Sequence, residues 1–257
     1  MHWKLAKITF GHATRVDQVS AAGNPLASES EMVSMNIIGW FAKLFGKKNE
    51  GKSDATGKLM EEWDDEKSRL LEKTLGKEHD MVMHALIPYH IGGSLDLYYY
   101  PNGIHGTAVA TKELSEMSNE SSSNAISRSY ELEMFTKHRL SLDDAKDETT
   151  AFGRAHSNIN AVLNLIARYS ETAKLNPNDT CEFPEDMEVV GGKCLIFDGY
   201  ARWHSDHRGK DFGLLAVIEI FRSEMDYARE EGGKNLIKRL KESGFYPYSD
   251  LDREPVA

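Results

Sequence analysis

The stretch from Gly93 to Leu114 constrains the fold more than any other part of this chain, because it predicts two consecutive β-strands joined by a tight turn. Two sets of side chains alternate in the first strand, and a strand places alternate residues on opposite faces. The sets are Leu95, Leu97 and Tyr99 on one face, and Asp96, Tyr98 and Tyr100 on the other. Pro101-Asn102-Gly103 ends the strand, since proline cannot donate to a β-ladder and Asn-Gly tolerates a positive φ. A second extended run over 104–111 follows at once.

Periodicity along the rest of the chain predicts further strands and several helices. The predicted helices are 58–75, 148–173, one opened by a capping-box pattern at Ser223, and 235–243 after the Gly232-Gly233 break. The other predicted strands are 81–91, 128–140, 193–197 and 212–221. The last of these is nearly all apolar, which is typical of a central strand buried on both faces. We therefore expect an α+β fold with a mixed, mostly antiparallel sheet flanked by helices.

Carboxylates and aromatic rings share faces of two predicted strands. Glu131, Glu133 and Phe135 share one face of the strand 128–140, as Asp96, Tyr98 and Tyr100 share one face of theirs. Paired carboxylates can act as general acid and base, but aromatic side chains mixed with charge are more typical of protein interfaces. We predict that these six residues form a partner-binding surface.

Composition narrows the classes of partner. The 257 residues carry a formal net charge of −10, which disfavours nucleic acid and anionic membranes and suits a basic partner. The two cysteines, Cys181 and Cys194, are too few for a secreted disulfide scaffold. No apolar run is long enough to span a membrane, and the N-terminus does not resemble a secretory signal. We expect a cytoplasmic protein.

The first part of the chain differs from the rest. Residues 1–34 are polar and irregular, and 35–48 form a short amphipathic segment followed by lysines. We expect 1–54 to be a poorly ordered lead and Met35 to be the native start.

Two short motifs suggest other chemistries. Residues 46–53, GKKNEGKS, match the phosphate-binding pattern G-x-x-x-x-G-K-[ST], which would place Lys52 on phosphates and Ser53 on magnesium. A nucleotide-binding protein is therefore one alternative. The other is a small zinc-binding module built from Cys181, Cys194, His204 and His207, although the cysteines lack the close spacing usual in structural zinc sites. Neither motif leads us to expect a cofactor.

The order of these segments resembles the suppressor-of-fused domain family. The matching segments are Leu95–Pro101, a strand that ends in proline; Gly106–Thr111, the next strand; Tyr130-Glu131-Leu132, the third; and Leu215–Met225, a late apolar strand leading into an acidic helix. The resemblance covers about residues 55–245, and we assign 55–257 to a domain of this type. Lys112–Met117 stands where the family carries a Gly-Met-Ser-like element.

The resemblance implies protein binding rather than enzymatic activity. Animal members are cytoplasmic regulators that sequester a transcription factor in Hedgehog signalling by clamping a short peptide strand. Single-domain bacterial members are thought to be immunity proteins that neutralise polymorphic toxins. This chain is too short to include the second animal-type domain, so it looks like the bacterial kind. We expect an immunity protein that binds a basic toxin domain directly.

Overall fold

A single mixed sheet runs through the computed structural model, which describes residues 9–10, 50–116, 123–205 and 210–257. The strands are β1 Thr9–Phe10, β2 Val82–Met83, β3 Leu97–Tyr100, β4 Thr107–Ala110, β5 Ser129–Thr136, β6 Thr180–Glu182, β7 Cys194–Ser205 and β8 Lys210–Ile220. The helices are α1 Glu50–Leu75, α2 Ala151–Ser170, α3 Arg222–Glu231 and α4 Gly233–Glu242.

The strand order is β1-β6-β7-β8-β5-β4-β3-β2. Every neighbouring pair is antiparallel except β5 and β8, which run parallel. The predicted fold class, a mixed and mostly antiparallel sheet flanked by helices, is confirmed. The predicted central strand is also confirmed, because β8 lies fourth in the order and its apolar residues are buried.

Both faces of the sheet are covered. One face packs against α2 through a buried stripe consisting of Ile159, Val162, Leu163 and Ile166. The opposite face packs against α1, α3 and α4, whose contributions include Leu71, Leu75, Met225 and Leu240. The alternation predicted for β3 is confirmed, since Leu97 and Tyr99 join the first core and Tyr100 the second. Helices therefore cover most of both faces of the described sheet, while Arg202 and His204 in the second half of β7 remain exposed.

Three predicted segments differ from the structure. Only Val82–Met83 of the run 81–91 is a strand, and the rest is a loop containing a 3₁₀ turn at Tyr89–Ile91. The strand predicted over 193–197 extends to Ser205, because the polar half of β7 pairs with β8 along its length. Helix α1 begins at Glu50, so the predicted domain boundary at residues 54–55 falls inside it. Most of the predicted lead lies outside the described residues.

The C-terminal segment 245–257, here called the strap, returns to the sheet. The parallel pairing of β5 with β8 ends at Glu133 and Ala216, and the strap enters beyond that point. The Ser249 amide donates to Phe135 O at 2.9 Å, and Ser249 Oγ donates to Val217 O at 3.3 Å. The strap therefore bridges the two strands where they separate.

A buried ion pair fixes the far end of the strap. Arg253 donates through both terminal nitrogens to Glu224 of α3, at 2.6 and 2.9 Å, and both side chains are almost fully buried.

Among the described residues, no helix is both long and apolar enough to cross a membrane.

Candidate protein-binding surface

The loop at the β2 edge of the sheet exposes apolar side chains. This edge loop, residues 84–93, follows β2, the last strand in the sheet order. Leu86 is fully exposed, and Ile87 and Ile91 are 57% and 50% exposed. Scattered exposed apolar residues are normal, but three in one short loop beside a sheet edge mark a surface that can bind another protein.

Side chains of α2 hold the backbone of the edge loop through hydrogen bonds. Arg168 donates to Tyr89 O at 2.7 Å and to Gly93 O at 2.6 Å, and its guanidinium lies 3.7 Å from the centre of the buried Tyr89 ring. Asn164 accepts a hydrogen bond from the Leu95 amide at 2.8 Å. The exposed side chains are therefore presented by an ordered loop, which lowers the entropic cost of binding.

Close backbone contacts also shape the loop. The Ser94 amide donates to Ile87 O, and a Cβ atom added at Gly93 would lie 1.6 Å from the same oxygen. Gly92 has a φ of +95°, in the left-handed region that favours glycine. The Gly92-Gly93 pair is thus required for the turn that returns the chain to β3.

Asp96, a predicted site residue, holds the start of the edge loop. Its carboxylate accepts from the Ala85 amide at 2.8 Å and contacts His84 Nδ1 at 2.7 Å. Its own amide donates to Glu113 Oε2 at 2.9 Å. Burial, followed by the charges of nearby carboxylates such as Asp96, raises the pKa of Glu113 to about 6, although the bond from the Asp96 amide lowers it. Asp96 therefore links the edge loop to the turn that follows β4.

That turn, residues 111–116, is built around Glu131. The fully buried carboxylate of Glu131 accepts from Thr111 Oγ1 at 2.6 Å and from Ser115 Oγ at 2.6 Å. It also accepts from the amides of Ser115 at 2.9 Å and Leu114 at 3.2 Å. Four donors satisfy this carboxylate, and through them it organises the turn.

Two lysines hold the same turn from the side of α1. Lys67 is fully buried and donates to Lys112 O and to Glu116 Oε1, the latter at 2.8 Å. Lys112 donates to Ser68 Oγ at 3.0 Å and pairs with Glu78 at 2.6 Å. A cleft of about 470 Å³ beside β2 is lined by Lys112 and by charges of both signs from α1 and the segment 77–80.

The structure brings four of the six predicted residues to this region, but not as an exposed patch. Asp96 and Glu131 bind the turn directly. Tyr98 lies under the Lys112 ammonium, 4.3 Å from the ring centre, and buried Tyr100 donates to Glu78 Oε2 at 2.7 Å. These residues support the turn and the edge loop from inside. Whether they contribute to partner binding stays a prediction.

The other two predicted residues lie elsewhere. Phe135 is buried against the Tyr200 ring, with the centroids 4.9 Å apart. Glu133 is fully buried, and neither of its carboxylate oxygens has a hydrogen-bond partner among the described residues. Glu131, Glu133 and Phe135 are all buried, because α1, α3 and α4 cover that face of β5, and their part in partner binding stays a prediction.

Several residues important to this region were missed by sequence reasoning. Lys67 lies four residues after Trp63 and four before Leu71, so it occupies the apolar stripe of α1 and its burial could have been inferred from spacing. Arg168 carries no such signal, because its partners are the backbone carbonyls of a loop about 75 residues away in the sequence.

The two alternative motifs have different outcomes. Residues 46–49 of the phosphate-loop match lie outside the described residues, while Glu50–Ser53 begin α1. Cys194 and His204 are ten positions apart on one extended strand, roughly 30 Å, and cannot bind the same zinc ion. His207 lies outside the described residues. Within the described ranges, no group of three or more His, Cys, Asp or Glu side chains could hold a metal.

Among known proteins, solved structures share this architecture although the sequences differ. No protein-family model matches the sequence, and neither does any curated protein. A solved structure described as "the Sufu-Fu complex crystal structure" is similar with a TM-score of 0.50 and 13% identity, covering 77% of this chain and 91% of that one. The crystal structure of Drosophila Suppressor of Fused is similar with a TM-score of 0.50 and 15% identity, covering 75% of this chain and 50% of that one. The chain therefore has a suppressor-of-fused-like fold, and it spans about half of the Drosophila chain.

Proposed function

We propose that this chain, with its suppressor-of-fused-like fold, is a protein-binding domain rather than an enzyme, and that its edge loop is the docking surface. The observation that carries the proposal is the exposure of Leu86, Ile87 and Ile91 on a loop whose backbone is fixed by Arg168 and Asp96. Apolar groups that are exposed and already ordered gain most from burial by a partner.

The adjoining sheet edge adds a second mode of contact. The two residues of β2 pair only with β3 within the described sheet, so an extended segment can add to their outer side. Burying one of the exposed apolar side chains of the loop contributes roughly 1.5–3 kcal/mol. Backbone pairing at β2 together with apolar contacts in the edge loop fits a partner that docks an extended, apolar segment.

One of the similar solved structures is that of a complex between Sufu and Fu. This likeness supports a protein partner for a chain of the same fold.

The finer proposal is that the partner is a basic toxin domain and that this chain is its cytoplasmic immunity protein. The net charge of −10 supports it, because an acidic protein attracts a basic partner over long range. The association rate with such a partner is expected to fall steeply as salt is raised. A rate indifferent to salt would contradict the basic partner.

Co-expression with the products of adjacent genes tests both levels of the proposal. We expect one such product to be toxic alone, to be rescued by this chain and to co-purify with it. Changing Leu86 and Ile87 together to Asp should abolish both rescue and co-purification.

The control is Val189→Asp, which places one aspartate, where the double variant places two, at a 68% exposed apolar residue in the connection between β6 and β7. It should behave like the native chain. Co-purification of a neighbour that is not toxic would retain the binding function and reject the immunity role. Full rescue by the Leu86/Ile87 variant would reject the edge loop as the docking surface.

A further inference from the structure

Glu133 is the most anomalous side chain in the described structure. It is fully buried on β5, and both of its carboxylate oxygens lack a hydrogen-bond partner among the described residues. An ionised carboxylate in such a site is strongly destabilised, whereas a protonated one carries no charge. Burial, followed by the charge of Asp198, raises the pKa of Glu133 well above its usual range.

The sheet places a second carboxylate on the same face. Glu133 of β5 and Asp198 of β7 both lie opposite Ala216, on its two neighbouring strands. Residues in one row across a sheet project to the same side, and the Ala216 side chain between them is small. Asp198 is paired with Lys241 of α4 at 3.1 Å. Ionisation of Glu133 would therefore place a second negative charge beside Asp198, whose own charge is already paired with Lys241.

The strap begins at this row. Burial, followed by the charge of the neighbouring Asp198, raises the pKa of Tyr246, and Lys241 lies 4.2 Å from the centre of the Tyr246 ring. The ring also stacks on Tyr200, whose other neighbour is Phe135. The ionisable groups around Glu133 are thus Asp198 and Tyr200 from β7, Tyr246 from the strap and, beyond Asp198, Lys241 from α4. All four of these groups contact the strap or belong to it.

We propose that Glu133 is a proton-binding site that couples pH to docking of the C-terminal strap. With its proton on the carboxyl group, Glu133 is neutral and the strap is docked over it. When the O–H bond breaks, the proton passes to water, and the charge left beside Asp198 is relieved by undocking the strap and admitting solvent. This role is independent of the edge loop, which lies at the other side of β3 and β4 in the sheet.

The sign of the effect follows from the direction of the shift. A carboxyl group that holds its proton more tightly when folded stabilises the folded state at low pH, and this advantage is lost as pH rises above the unfolded value of about 4.5. Relative to Glu133→Gln, which stays neutral, the folding equilibrium constant of the native chain should fall up to about tenfold per pH unit over that window.

Hydrogen exchange at the Ser249 amide, which donates to Phe135 O, reports docking of the strap directly. We expect exchange at about pH 8 to be tenfold or more faster in the native chain than in Glu133→Gln, and equal in the two at about pH 4, below the window in which the proton is released. Comparing two chains at one pH removes the intrinsic pH dependence of exchange.

Glu131→Gln is the matched control, because Glu131 lies two residues away on the same face but is surrounded by four donors. It should lower stability and yet keep the pH dependence of the native chain. Equal exchange of the Ser249 amide in the native chain and in Glu133→Gln at both pH values would overturn the proposal. A pH dependence of stability that persists unchanged in Glu133→Gln would also overturn it.

Discussion

Glu131 and Glu133 occupy alternate positions on one strand and lie on the same face of the sheet, yet they have opposite surroundings. Glu131 receives four hydrogen bonds from the turn after β4, while Glu133 receives none from any described residue. A buried charge is tolerated where fixed donors replace its water, and is otherwise neutralised by a proton. Glu131 therefore stabilises the turn as a hydrogen-bond acceptor, whereas we expect the packing around Glu133 to depend on whether its carboxyl group is protonated.

Glu131→Ala should destabilise the chain by about 2–4 kcal/mol, because four donors would be left buried without an acceptor. Urea unfolding measures the change. Glu188→Ala, at an exposed position between β6 and β7, is the control and should change stability by less than about 0.5 kcal/mol. Similar losses in the two variants would show that the turn does not depend on Glu131.

Arg168→Lys should loosen the edge loop with little effect on global stability. Arg168 donates to the Tyr89 and Gly93 carbonyls through Nη2 and to Glu171 through Nη1, while its planar guanidinium lies on the Tyr89 ring. A lysine ammonium cannot keep all of these contacts at once. Exchange of the Ser94 amide, which donates to Ile87 O, should become about tenfold faster.

Arg154→Lys provides the comparison for this change. Arg154 lies on the same helix and also donates to backbone carbonyls, but near the N-terminus of the helix and away from the edge loop. Exchange of the Ser94 amide should be unchanged in this variant. Identical behaviour of the two lysine variants would contradict the anchoring role of Arg168.

Helix α1 closes the face of the sheet that the sequence suggested would meet a partner. Its last turns bury Leu71 and Leu75 against the aromatic and small residues of β3 and β4. Leu71→Ala and Leu75→Ala should each lower the free energy of unfolding by about 2–5 kcal/mol, the range for truncating a leucine in a packed core. Leu59→Ala, on the same helix but 58% exposed, should be nearly neutral. Thermal unfolding of the three variants decides whether α1 belongs to the folded unit.

Local pattern predicted the secondary structure where one short-range signal dominates. The alternation over 95–100 and the helical spacing over 148–173 correspond to β3 and α2, since each depends on side chains close in sequence. The polar half of β7 was missed, because its strand conformation comes from pairing with β8 rather than from its own residues. The sequence pattern correctly predicted which residues share a face of the strand. It did not predict that this face is buried, because its burial depends on α1, α3 and α4, which are distant in sequence.

Because helices cover most of both faces of the described sheet, another chain reaches the sheet most readily at an edge. At one edge the structure combines the unpaired side of β2, the ordered loop 84–93 and exposed apolar side chains. Four of the six residues predicted from sequence, namely Asp96, Tyr98, Tyr100 and Glu131, lie behind this surface and support it. Function is therefore expected to depend on two layers, an exposed layer that contacts the partner and a buried one that fixes its geometry.

The dissociation constant of the complex with the co-purifying partner, measured for the native chain and for Leu86→Asp/Ile87→Asp, tests the binding role of the edge loop most directly. We predict that affinity falls by about 100-fold or more in the double variant, because charges replace two apolar contacts at the centre of the surface. Val189→Asp should bind like the native chain. Equal affinity of the double variant and the native chain would contradict the assignment of the edge loop as the protein-binding surface.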